Sequence, residues 1–195
     1  GDDIAITGNT FQNIYQSTTG TSGQLKVIAA DANSPGKLTC SDNLIKDIES
    51  TSRKAGLTNP TVTGISANNS NANNFISNNT IHNIKSSYSG TSYYPGACGI
   101  KMGNIVITGA GKIEKNIMYD IISLADNGSV ETYGILVYDD LEPGDTILVE
   151  NNVVLLDNNG GPDTKLTGIH LHNHSDGGIL DVNHNTIKIF GTAST

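Results

Sequence analysis

At 195 residues and 20.5 kDa the chain is long enough for one domain with a real core, but only 36% of it is hydrophobic and 15% charged. Its 22 glycines and frequent Asn, Ser and Thr exclude a helical bundle, while the regular return of Ile and Val excludes a disordered chain. With 11 Lys+Arg against 19 Asp+Glu, a net charge of −8 and a pI near 4.9, there is no basic face for nucleic acid or anionic lipid, and no apolar run of about 18 residues to enter a bilayer.

The predicted elements repeat in chain order. The first unit opens on Ile4 and Ile6, two apart as in a strand with one buried face, and continues through Asn9, Phe11, Ile14 and Val27-Ile28. The second runs Leu38, Cys40, Asn43, Ile45, Ile48, then Gly64-Ile65 and Ala67. Ile76, Asn79, Ile81, Ile84, Gly99-Ile100 and Met102 form the third, and Ile113, Asn116, Met118, Ile121, Gly134-Ile135 and Val137 the fourth. The fifth holds Ile147, Val149, Asn152, Val154, Gly168-Ile169 and Leu171; the sixth, Leu180, Val182, Asn185 and Ile187. Asn returns after 34, 36, 37, 36 and 33 residues, and the Gly-Ile mark keeps the same period.

Each unit thus holds three short strands separated by corners, with no stretch of helical period. Strands at fixed spacing without hairpin signals predict a coil that stacks on itself, each strand pairing in parallel with its equivalent one turn later, about 4.8 Å away. A β-propeller, the main competitor at this period, needs four antiparallel strands per blade and the missing hairpins. The column Asn9, Asn43, Asn79, Asn116, Asn152 and Asn185 is the expected structural ladder. An Asn side chain both donates and accepts, and it tolerates the left-handed backbone of a corner. Cys40 and Cys98 permit one disulfide but read as buried free thiols.

The phrases Asn-Asn-Thr-Ile-His-Asn-Ile (78–84), Gly-Ile-Leu-Val (134–137), Gly-Ile-His-Leu (168–171) and Asn-His-Asn-Thr-Ile-Lys-Ile (183–189) resemble the right-handed parallel β-helix, pectate-lyase-like superfamily. They also look like the long-coil repeats of secreted surface proteins of Bacteroidetes. The resemblance spans essentially the whole chain and implies an all-β, right-handed parallel β-helix. It would form a single domain, 1–195, of about six coils of about 35 residues and about 29 Å tall. A secreted or cell-surface location follows from the same resemblance. No cap is evident at either end, so the expected neighbours there are further coils of a longer parent chain or another subunit.

Function is expected on loops and on the outward side of the Gly-Ile strand, the face on which the superfamily often builds its sites. Tyr88, Tyr93 and Tyr94, on a Gly/Ser-rich loop, offer flat faces for sugar rings or fold back onto the solenoid. Parity turns His170 and His172 outward, beside Leu136 and Tyr138 of the previous coil, with Lys101 one coil further. Lys101, Tyr138, Asp139, Asp140, His170 and His172 are therefore the candidate catalytic or sugar-contacting set. The same histidines with Asp139 or Asp140 suit a transition metal, and Asp139, Asp140, Glu142 and Asp145 suit calcium; an ordinary solvated face is the plain alternative. The outward column Asp31, Asn68, Gly103, Tyr138 and His172 holds one carboxylate, not the cluster a glycoside hydrolase needs. The reading is a non-catalytic structural or carbohydrate-contacting module, such as an adhesin or stalk. The alternative is a polysaccharide lyase or hydrolase, tailspike depolymerases included.

Overall fold

The computed structural model describes residues 3–17, 23–31, 36–52, 60–68, 73–88, 96–103, 109–124, 130–139, 141, 143–157, 165–173 and 177–190. Among these residues seventeen strands follow one another in coils. The first coil contains β1 (Ile4–Thr7), β2 (Thr10–Gln16) and β3 (Leu25–Asp31); the second β4 (Leu38–Ser41), β5 (Leu44–Ser50) and β6 (Val62–Asn68). The third contains β7 (Phe75–Ser77), β8 (Thr80–Ser86) and β9 (Ala97–Gly103); the fourth β10 (Ala110–Glu114), β11 (Ile117–Ser123) and β12 (Glu131–Asp139). The fifth contains β13 (Thr146–Glu150), β14 (Val153–Asp157) and β15 (Lys165–Asn173), and β16 (Ile179–Asn183) and β17 (Thr186–Phe190) begin a sixth. They assemble into three sheets. The first takes every strand from β1 to β16 in steps of three, the second β2 to β17, the third β3 to β15. Every pairing is parallel and joins equivalent positions of neighbouring coils. The chain is a parallel β-solenoid, with the coil spacing read from the sequence.

The core is a column of Ile, Val and Leu between the three sheets, including Ile45, Ile65, Ile76, Ile81, Ile100, Ile113, Ile121 and Ile135. Both thiols are buried and unpaired as disulfides, and burial pushes each up to about 12.

Two corners depend on backbone chemistry. The residue before each ladder Asn has positive φ: Gly8 at 68°, Asp42 at 58°, Asn78 at 54°, Lys115 at 55°, Asn151 at 56° and His184 at 53°. A second left-handed column lies four residues after the ladder: Asn13, Asp47, Asn83 and Asp120. This bulge explains a parity problem. Positions two and five after the ladder both face the core, as at Ile45 and Ile48, yet an odd separation should place them on opposite faces. In β14 the corresponding residue is Leu156, the strand is regular, and burial alternates Val154, Leu156. Pairing between β11 and β14 accordingly stops at Tyr119↔Leu155, one residue before the bulge.

The Gly column is set by space. A Cβ on Gly99 would lie 2.7 Å from the Gly134 carbonyl oxygen and 2.9 Å from Ile121 Cδ1, and one on Gly134 would lie 2.3 Å from Val154 Cγ1. No side chain fits where the third sheet closes onto the second.

Candidate functional site

The ladder forms as expected. Asn43 Nδ2 donates to Asn79 Oδ1 at 2.9 Å, Asn79 to Asn116 at 2.9 Å, Asn116 to Asn152 at 3.0 Å and Asn152 to Asn185 at 2.9 Å. Asn9 makes the same bond to Asn43 at 3.3 Å. The same oxygens accept the backbone N–H of the preceding Asn at 2.9–3.0 Å. The second Nδ2 proton of each Asn from Asn43 onward reaches a carbonyl of the coil before, those of Ile6, Cys40, Ile76, Ile113 and Val149. Asn43, Asn79, Asn116 and Asn152 are buried, so every bond acts in a dry setting where an orphan would be costly.

The third sheet carries the predicted outward face. Register places Lys101 beside Leu136, Leu136 beside His170, and Tyr138 beside His172, as the parity argument requires. Tyr138 and His172 stack with ring centroids 4.6 Å apart and planes 4° apart. His170 meets Tyr133 edge-on at 5.5 Å, and the two imidazoles lie 6.0 Å apart. Each imidazole thus contacts a tyrosine ring of the preceding coil.

Outward does not mean solvated here. Lys101 is 8% exposed and Leu136 1%; Ser66, Cys98, Thr63 and Tyr133 on the same face are also buried. Cys98, Tyr133 and Leu136 form a second apolar cluster, with Tyr138 packed against it. The solvated face entertained from sequence is therefore replaced by a covered one. Burial, and then the hydrogen bond to the Glu131 carboxylate, hold the Tyr133 hydroxyl well above its ordinary range, so it stays a proton donor. Lys101 lowers the Cys98 thiol, but burial outweighs it. The Oγ of Ser66, in register with Lys101, is buried without a hydrogen-bond partner among the described residues.

The other candidates are placed less fully. The side chain of Asp139, and the whole of Asp140, Glu142, Tyr93 and Tyr94, lie outside the described residues, and Tyr88 is half-buried. Asp145 is fully buried, and its Oδ1 accepts the backbone N–H of Gly109 at 3.0 Å, a corner-holding role between coils four and five. Among the described residues no group of three His, Cys, Asp or Glu is arranged to hold a metal ion.

Two features escaped the sequence reading. A column of hydroxyls, Ser50, Ser86 and Ser123, is buried at the end of the second sheet, where Ser86 and Thr61 share a hydrogen bond at 2.9 Å. Their recurrence seven residues after the ladder Asn was visible in the sequence. On the first sheet, Lys112 bridges Glu114 at 3.1 Å and Glu150 at 2.7 Å, which raises the Lys112 ammonium and lowers the Glu150 carboxyl. Among the described residues no helix is long and apolar enough to cross a membrane. Comparison with protein-family models, with curated proteins and with solved structures finds no match to this chain.

Proposed function

We propose that the chain is a non-catalytic structural module of a secreted or cell-surface protein, a stiff β-solenoid whose outer surface makes carbohydrate contacts. The carrying observation is the unbroken ladder: five consecutive Asn–Asn bonds tie all six coils into one column. Such a column suits a spacer or stalk that must keep its length. A second reading, a polysaccharide lyase or hydrolase, draws on one observation: Lys101 is buried on the outer face beside the Ser66 Oγ, unpartnered among the described residues. A basic side chain held in such a place is a candidate proton acceptor.

One experiment separates the two. The purified, folded chain is incubated with acidic and neutral polysaccharides, with and without calcium. New reducing ends and the ultraviolet absorbance of unsaturated uronates are followed, and retention on the same polysaccharides is scored in parallel. Retention without turnover is the expected result. Turnover abolished by Lys101→Met or His172→Ala, in variants that keep their circular dichroism, would replace the structural reading with the enzymatic one.

A further inference from the structure

We propose that the outer face of the second sheet, across coils one to three, is a binding site for an uncharged glycan chain lying along the solenoid axis; this names the site and ligand class of the carbohydrate contacts proposed above and rests on that reading. The site is an open depression of about 330 Å³ whose polar lining is Asn13, Tyr15, Asp47, Glu49, Asn83 and Lys85. That volume is at the lower end of what small-ligand sites occupy. It follows from the bulge. At Asn13, Asp47 and Asn83 the strands leave the regular pleat in a left-handed turn, and the three residues stand outside the core beside the Tyr15, Glu49, Lys85 column.

The lining has the chemistry of sugar recognition. Tyr15 is 61% exposed and has no ring partner among the described residues, so its face is open to the C–H side of a pyranose ring. The planar polar groups are held in place. Asn83 Nδ2 donates to Asp47 Oδ1 at 2.7 Å, and Lys85 Nζ lies 3.8 Å from Glu49 Oε1. The second carboxylate oxygens of Asp47 and Glu49 have no partner among the described residues, so each offers an acceptor to a sugar hydroxyl. Asp120 continues the left-handed column one coil further, so the polar groups recur about every 4.8 Å along the axis, which suits a polymer rather than a single sugar.

Charge selects the class. Two carboxylates face one ammonium in the depression, on a chain of net charge −8, so a polyuronate would be repelled and a neutral glycan would not.

The test is affinity gel electrophoresis of the folded protein through hydroxyethylcellulose, xyloglucan, galactomannan and polygalacturonate, followed by the variants Tyr15→Ala and Asp47→Ala. Circular dichroism and urea midpoints serve as folding controls. The expected result is retardation by at least one neutral polysaccharide and not by polygalacturonate, with affinity about tenfold weaker in Tyr15→Ala, equivalent to about 1.4 kcal/mol. Neutral retardation that survives both variants but is lost in His172→Ala would overturn the site and leave the carbohydrate-contacting reading standing. Stronger retardation by polygalacturonate, or retardation only with calcium, would overturn the uncharged ligand class. No retardation by any polysaccharide would overturn the inference and the reading beneath it together.

Discussion

Replacing Asn116 by Ala tests what holds the coils together. Its Oδ1 accepts two donors, the N–H and Nδ2 of Asn79 at 3.0 and 2.9 Å, and its Nδ2 donates to Ile76 O and Asn152 Oδ1 at 2.9 and 3.0 Å. In the Ala variant the Asn79 backbone N–H is a buried donor without a partner, which costs about 1–3 kcal/mol. The remaining three bonds leave groups that keep another partner, at about 0.5–1.5 kcal/mol each. The expected loss is therefore about 2.5–7.5 kcal/mol, a large share of the about 5–15 kcal/mol that stabilises a typical domain. Asn9→Ala is the control. It is exposed, its Nδ2 bonds reach only Thr7 O and Asn43 Oδ1, and the cost is about 1 kcal/mol or less. Asn116→Asp sharpens the test. It is nearly isosteric, yet it sets carboxylate oxygens against the Ile76 carbonyl and Asn152 Oδ1 and buries a charge, so it should be worse than Ala at neutral pH. Urea unfolding at constant m-value is the assay. Equal, small effects of Asn116→Ala and Asn9→Ala, within about 0.5 kcal/mol, would mean that sheet pairing and the apolar core hold the solenoid and the ladder is incidental.

Three further outcomes follow from the geometry. Gly99→Ala should lower stability by about 1–3 kcal/mol, because the new Cβ meets a backbone oxygen that cannot move aside; an unchanged urea midpoint would show that the sheets have room. Asn83→Ala should cost more than Asn83→Gly, since only the former keeps a Cβ at φ 53°; equal costs would locate the effect in the bond to Asp47 that both variants lose. Both thiols should resist a thiol-specific reagent at neutral pH in the native protein and react once it is unfolded. Because burial raises each folded-state value from an unfolded one of about 8.5, the stability the thiols contribute is complete below that pH and is lost as the pH rises toward about 12; a Cys40→Ala, Cys98→Ala protein that loses stability just as steeply over this window would refute the assignment.

The solenoid was legible in the sequence because its physics is periodic. A parallel stack imposes the same steric demand at each coil, so a Gly that must leave room for a neighbouring carbonyl recurs at 64, 99 and 134, Gly168 leaves room for the Ile187 side chain, and a corner amide recurs at the ladder. The bulge was half legible. Phe11 and Ile14, or Ile81 and Ile84, stand three apart with both members core-facing, which already violates strand alternation. The residue that resolves the conflict, an Asn or Asp just before the second member, is the type that tolerates φ above zero. Where that residue becomes Leu156, the strand straightens and the next core residue moves to the regular position.

The site was less legible for a different physical reason. Strand alternation assigns a side chain to one face of a sheet, and it assigned His170, His172, Leu136 and Lys101 correctly. It carries no information about what lies over that face. β9 is buried along its whole length, both parities alike, so the rule that outward residues meet water fails on the third sheet and holds on the second. The composition of the outer columns contains the signal. On the third sheet the outward residues include Cys98, Leu136 and Tyr133, apolar or amphipathic; on the second they include Gln12, Lys46 and His82, then Tyr15, Glu49 and Lys85. An apolar outer column marks a face that something covers, and a polar one marks a face open to water, on which an exposed aromatic ring is accessible. On that argument the histidines of the third sheet are packing partners of tyrosines first, and Tyr15 is the better place to look for a bound sugar.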